Sequence, residues 1–272
     1  MSTDRSSDRS ADPLRSLAIA AGLGFGASIL AFGLVIALVN VLFLLGIDLQ
    51  GRFGLALGIE FFINQVLVMG GISVAYLAYT GRGLDYINVR LPDLKGVALI
   101  VVGPIAVFMI VAAFSLVFVE LGIEPSQHGL ADLQDEVDPT FFLYLIPVSI
   151  LIIGPFEELL YRGVIQTRLR EALGPVSAIT TASVIFALIH IPAYGMGLAA
   201  GGVDAVAASI GILFVGSLAF GAIYEYTQNL PVVAVVHGLY NGIQFLLVYI
   251  SIVYEEELME AAGDAIALFV VI

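Results

Sequence analysis

Glu157 and Glu158 stand side by side at the end of an apolar run, in Gly154-Pro155-Phe156-Glu157-Glu158-Leu159-Leu160-Tyr161-Arg162, and the segment 141–156 ahead of them carries no charge. A carboxylate in or beside hydrocarbon costs several kcal/mol unless it is paired or faces a wet cavity, so an ionisable group there marks a functional site by default. On a helix, Glu158 and Arg162 are four residues apart with the acid first, the favoured order for an in-helix ion pair. Glu157 then points about 100° further round the helix. A solvated helix end with a salt bridge accounts for Glu158 and Arg162 and leaves Glu157 over.

Two of the three histidines also fall in apolar runs: His190 ends Phe186-Ala187-Leu188-Ile189-His190, and His237 opens His237-Gly238-Leu239-Tyr240-Asn241. His128 lies in an acidic loop and reads as solvated. Gly174-Pro175 marks a helix stop followed by a helix start. Glu157 is 17 residues before Gly174 and His190 is 16 after it. In an antiparallel helical hairpin each lies about 25 Å from the turn, so the two come level. His237 and Asn241, four apart, share a helix face, and an imidazole with an amide is a suitable donor pair for the oxyanion of a tetrahedral intermediate.

The elements that must position these groups are membrane helices. The chain has 272 residues, 60% of them hydrophobic and 12% charged, with a mean hydropathy of +1.04; soluble domains carry about 25% charged residues. Apolar runs at 17–47, 53–80, 97–121, 141–161, 176–191, 205–226 and 231–253 predict seven spans. The run 265–272 is too short to cross and is the stub of an eighth span or an interfacial helix. The expected fold is an all-α polytopic transmembrane bundle of seven to eight spans. Residues 1–15 form a disordered tail and 16–272 a single membrane-embedded domain, with the motif-bearing core at 135–250. The first run is much longer than the apolar core of a signal peptide, so it is retained as a span.

Orientation follows from the ten Lys and Arg residues. They sit in the tail (Arg5, Arg9, Arg15), after the first run (Arg52), after the second (Arg82, Arg90, Lys95) and after the fourth (Arg162, Arg168, Arg170), with none elsewhere. The tail, 81–96 and 162–175 are therefore expected in the cytoplasm, in a multi-pass protein of the cell membrane. With no cysteine, thiolate nucleophiles and thiolate metal sites are excluded. A net charge of −13 argues against nucleic acid as a partner. One lysine against 23 acids resembles the composition of proteins from high-salt organisms.

Polar groups also dot the early spans. Asn40, Glu60, Asn64 and Gln65 are the kind that hydrogen-bond between helices. Ser28, among small residues in Gly26-Ala27-Ser28-Ile29, has the setting of a membrane serine nucleophile, yet small residues in spans pack helices.

Glu157-Glu158…Arg162, Phe186…His190 and His237…Asn241 together resemble the three ordered motifs of the CAAX prenyl protease and bacteriocin-processing family of membrane-embedded endopeptidases. The resemblance covers about 135–250. It implies an all-helical bundle with a cavity open to membrane and cytosol, and a membrane-anchored protein or peptide substrate in the lipid bilayer. It implies that Glu157 and His190 hold and deprotonate water, that His237 and Asn241 stabilise the oxyanion, and that Glu158 and Arg162 support the motif helix. Pro155 fits independently, because it frees the Leu151 carbonyl and can kink the backbone beside Glu157. No cofactor is expected on the favoured glutamate mechanism. Zinc held by His190, His237 and Glu157 is the minority reading, since all three are legitimate ligands, although no His-Glu-x-x-His pair is present. The competing classes are a proton-coupled carrier using Glu157, His190 and Glu60, and a non-catalytic membrane scaffold. A carrier is expected to show internal repeats, which the sequence lacks, and a scaffold has no need of His237 and Asn241 together.

Overall fold

In hydrocarbon a chain can satisfy its backbone only as helices or closed barrels. The computed structural model, which describes residues 12–49, 51–126, 137–199 and 202–254, contains only helical elements there. In chain order they are α1 (Pro13–Leu44), α2 (Phe53–Thr80), α3 (Leu94–Glu120), α4 (Thr140–Arg170), α5 (Pro175–Leu188), a 3₁₀ turn (Ile191–Tyr194), α6 (Gly195–Ala199), α7 (Val203–Thr227) and α8 (Leu230–Val253). Local signals set several ends. Asp12 accepts from the Leu14 N–H ahead of Pro13 (3.0 Å) and Asp93 from the Gly96 N–H (2.8 Å), each capping a first turn. Gly81, at φ +66°, closes α2 in the left-handed conformation.

Six helices among the described residues are long and apolar enough to cross a membrane, so the expected seven to eight are not all found there. The difference lies at the fifth run. There α5 has 14 residues, about 21 Å of helix, and stops at Leu188 rather than continuing to 191. Pro192 has no N–H to donate and disfavours helical backbone at the residue before it, so the helix breaks just ahead of it, with His190 at the break. The stub at 265–272, residues 1–11 and His128 lie outside the described residues.

The loops sort into two ends of the bundle. At one end Arg82 pairs with Glu171 (2.6 Å), Arg170 with Glu225 (3.0 Å), and the Asn229 side chain donates to the Leu91 carbonyl (3.3 Å). At the other, the Ser126 N–H donates to the Ala205 carbonyl (3.2 Å) and the Ser209 hydroxyl to the Ser126 carbonyl (2.9 Å). The segment 175–199 therefore runs from the arginine-rich end towards the opposite one in pieces.

Buried side chains form two clusters. One joins α1, α2, α4 and α5 around Leu160, Tyr161 and Phe186. The other joins α2, α3, α4, α7 and α8 around Phe220, Val236 and Tyr240. Between α4 and α8 the backbones nearly touch: a Cβ on Gly154 would lie 2.6 Å from the Ala234 carbonyl oxygen, and one on Gly238 would lie 2.6 Å from the Ile150 Cα. The Ser149 hydroxyl crosses the same contact to the Gly238 carbonyl (2.9 Å). Small residues let membrane helices approach this closely, and this crossing sets the residues that follow Gly154 beside those that precede and follow Gly238.

Candidate active site

The motif helix is not a plain α-helix. A π-helical stretch, Ser149–Ile153, precedes the α-helical turn Gly154–Glu158, and a second, Leu159–Gln166, follows it. The Gly154 N–H reaches back five residues to the Ser149 carbonyl. Pro155 supplies no N–H, so the widened turn ahead of it absorbs the disruption expected there. Such wide turns persist in helices mainly at functional sites. Here they bracket two acids.

Both carboxylates are buried, Glu158 completely and Glu157 to 7% exposure, as are Arg162 at 1% and His237 at 4%. The expected Glu158–Arg162 pair is present at 3.2 Å. Arg162 also donates to the hydroxyl and the carbonyl of Ser217 on α7, both at 2.8 Å. Glu158 does more than support its own helix, because the same Oε1 meets Nδ1 of His237 at 2.7 Å. A carboxylate can only accept, so Nδ1 carries the proton and Nε2 is the atom left for chemistry. Nε2 faces Glu157 Oε2 at 3.9 Å, too long for a hydrogen bond. The imidazole stacks on Phe220 (4.3 Å between centroids, 20° between planes), and the Arg162 guanidinium lies over Phe186 and Phe220. His237 is thus held between two acids and against an aromatic wall.

His190 is placed at the end of α5. Its Nδ1 sits 2.6 Å from the Phe186 carbonyl, again an acceptor only, which fixes the proton on Nδ1 and leaves Nε2 as the lone-pair nitrogen of the neutral ring. The rings of His190 and His237 both border Phe186, at 4.6 and 6.3 Å between centroids. Helices α4 and α5 pack against each other, with Tyr161 edge-on against Phe186 at 5.0 Å. Phe186, rather than a direct polar contact between Glu157 and His190, is what ties His190 to the cluster. Asn241 lies one turn beyond His237, half-buried, and its side chain makes no hydrogen bond to another described residue.

The early polar groups divide. Asn40 bonds within its own helix to the Ile36 carbonyl (2.8 Å), and Asn64 to Glu60 one turn away (3.2 Å). Gln65 hydrogen-bonds into the site, its Nε2 donating to Glu157 Oε1 at 3.0 Å, and Glu60 interacts with the same carboxylate through charge. The sequence signals only an amide inside a span; its partner, 92 residues away, is beyond any local spacing. Ser217 has no sequence signal at all. Ser28 is half-buried on α1 and bonded to none of these residues. Among the described residues no group of three His, Cys, Asp or Glu side chains is arranged to hold a metal ion.

Residues 139–243 match the Rce1-like family, described as type II CAAX prenyl endopeptidase Rce1-like, so this segment is similar to the CAAX proteases. The match contains Glu157, Glu158, Arg162, His190, His237 and Asn241 and stops short of α1–α3. No curated protein and no solved structure matches the chain.

Proposed function

We propose that the chain is a membrane-embedded endopeptidase that hydrolyses peptide bonds of membrane-associated protein or peptide substrates with water activated by Glu157. The observation that carries this reading is the buried carboxylate–imidazole–carboxylate arrangement of Glu158, His237 and Glu157, set by a glycine crossing within the segment that matches a protease family. A fold held together by packing alone has no use for two such acids in hydrocarbon.

In the proposed reaction Glu157 takes one proton from water as the oxygen attacks the scissile carbonyl, with the Nε2 lone pair of His190 helping to hold the water. The carbonyl electrons move to oxygen, and the oxyanion is met by His237 and Asn241. Collapse restores the carbonyl, breaks the C–N bond and returns the Glu157 proton to the leaving nitrogen. Donation from His237 requires a proton on Nε2 as well as on Nδ1. The arginine-rich end of the bundle is assigned to the cytoplasm on the distribution of basic residues, which puts the N-terminus there too.

The test is incubation of detergent-purified wild type and Glu157→Gln with a membrane-anchored peptide library. The amide keeps the shape and cannot take the proton, so cleavage should fall by about 10²–10⁴-fold in a folded protein. Full activity in a folded Glu157→Gln protein would remove Glu157 as the base.

A further inference from the structure

Gln65 lies outside the segment that matches the protease family, yet it is built into the site. It is 3% exposed and sits in the π-helical stretch Phe62–Gly70 of α2, a backbone form that recurs at functional sites. That stretch ends at Gly70, where a Cβ would lie 2.8 Å from the Phe156 ring. The absence of a side chain there lets α2 press against the residue preceding Glu157. The widened turn and the glycine both serve one contact, Gln65 Nε2 to Glu157 Oε1 at 3.0 Å. The amide orientation is fixed chemically, since the reverse would set two acceptors against each other.

The other amide atom is the informative one. Gln65 Oε1 is buried and has no hydrogen-bond partner among the described residues, although buried acceptors are nearly always satisfied. It is carried on the same carbon as the nitrogen that holds Glu157, so it lies close to that carboxylate. An orphan acceptor next to a general base suits a small donor with two hydrogens.

Building on the endopeptidase reading, we propose that Gln65 orients both the base and the attacking water. Its N–H holds Glu157 Oε1, which leaves Oε2 to take the transferred proton. Its Oε1 shares with the Nε2 lone pair of His190 the hydrogen that stays on the water. With both hydrogens engaged, one moving to Glu157 and the other only hydrogen-bonded, the water's remaining lone pair is directed at the scissile carbonyl.

The experiment uses the full chain in proteoliposomes and the membrane-anchored peptide that wild type cleaves fastest in the library. Gln65→Met matches the length and volume of the side chain and removes both contacts. It should lower kcat by about 10²-fold, the scale of a misaligned reactant, with KM within about twofold and a lower Tm, because the buried Glu157 carboxylate loses a donor. Gln65→Asn keeps the amide and withdraws it by one methylene; it should fold and show the same kcat loss, and it carries the test should the Met variant fail to fold. A helix-fastening role predicts the lower Tm with kcat per folded molecule preserved, so kcat decides. Wild-type kcat in either folded variant, or a raised KM at normal kcat, overturns the proposal and leaves the endopeptidase reading standing. If wild type cleaves no peptide, both fall together.

Discussion

Helices α1 and α4 have nearly the same length, 32 and 31 residues, and both are apolar enough to span a membrane, yet they bury opposite things. What α1 turns inward is a stripe of small side chains, Ser16, Ala20, Gly24, Ala27 and Ala31, while many of its large residues face outward. What α4 turns inward includes Glu157, Glu158 and Arg162, held by two π-helical stretches and a glycine crossing. In lipid there is no hydrophobic drive to bring helices together, so small residues serve close packing, and a buried charge survives only where other charges and donors meet it. One helix fits its neighbours; the other is made to hold chemistry.

Arg162→Leu should break that distinction most severely. It takes the arginine from Glu158, which keeps only His237, and from the Ser217 carbonyl and hydroxyl, in a place sealed from water, and removing one partner of a buried pair costs about 3–5 kcal/mol. Thermal unfolding and expression level would register the loss, with activity following the folded fraction. Near-normal stability would mean that α4 does not depend on its charges.

Asn241→Ala tests the chemistry and not the scaffold. Loss of an oxyanion donor lowers turnover by about 10²–10³-fold, roughly 2.7–4 kcal/mol, with little change in KM because the contact forms only in the transition state. Steady-state peptide cleavage gives both constants. A carrier would instead keep nearly normal flux, as asparagine does not titrate, and unchanged peptide turnover would take Asn241 out of the site.

The smallest effects come from matched glycines. Gly238→Ala places its Cβ against the Ile150 backbone and should cost about 1–3 kcal/mol by overpacking, together with activity, since the crossing sets His237 beside Glu158. Gly26→Ala on α1 meets nothing within 4 Å and should change stability by less than about 1 kcal/mol, towards stabilisation, because glycine is a poor helix former. A paired melting measurement compares them. Equal losses would remove the claim that the two helices pack for different ends.

What the sequence makes legible is whatever lies within one turn of a helix. Glu158 with Arg162 and His237 with Asn241 follow from four-residue spacing, and the α4–α5 hairpin follows from Gly174-Pro175. The contact of His237 with Glu158 joins residues 79 apart, and that of Gln65 with Glu157 joins residues 92 apart; no periodicity reports which faces meet once helices assemble. The π-helical stretches are equally silent in composition, since their residues are those of any span. The early end of α5 is written in the chain at Pro192, whose effect on the preceding backbone outweighs the apolar run that suggests a longer span.

The depth of the Glu158–Arg162 pair has a consequence for the medium in which the protein works. Mobile ions weaken charge interactions over a Debye length that shrinks to about 3 Å in 1 M salt, but only where the ions can approach. Arg170–Glu225, with side chains 46% and 23% exposed, lies open to that screening, whereas Arg162 and Glu158, at 1% and 0%, are closed to it. An acid-rich exterior and a sealed set of charges can therefore answer to different salt conditions, and the interior electrostatics stay constant while ionic strength resets the surface.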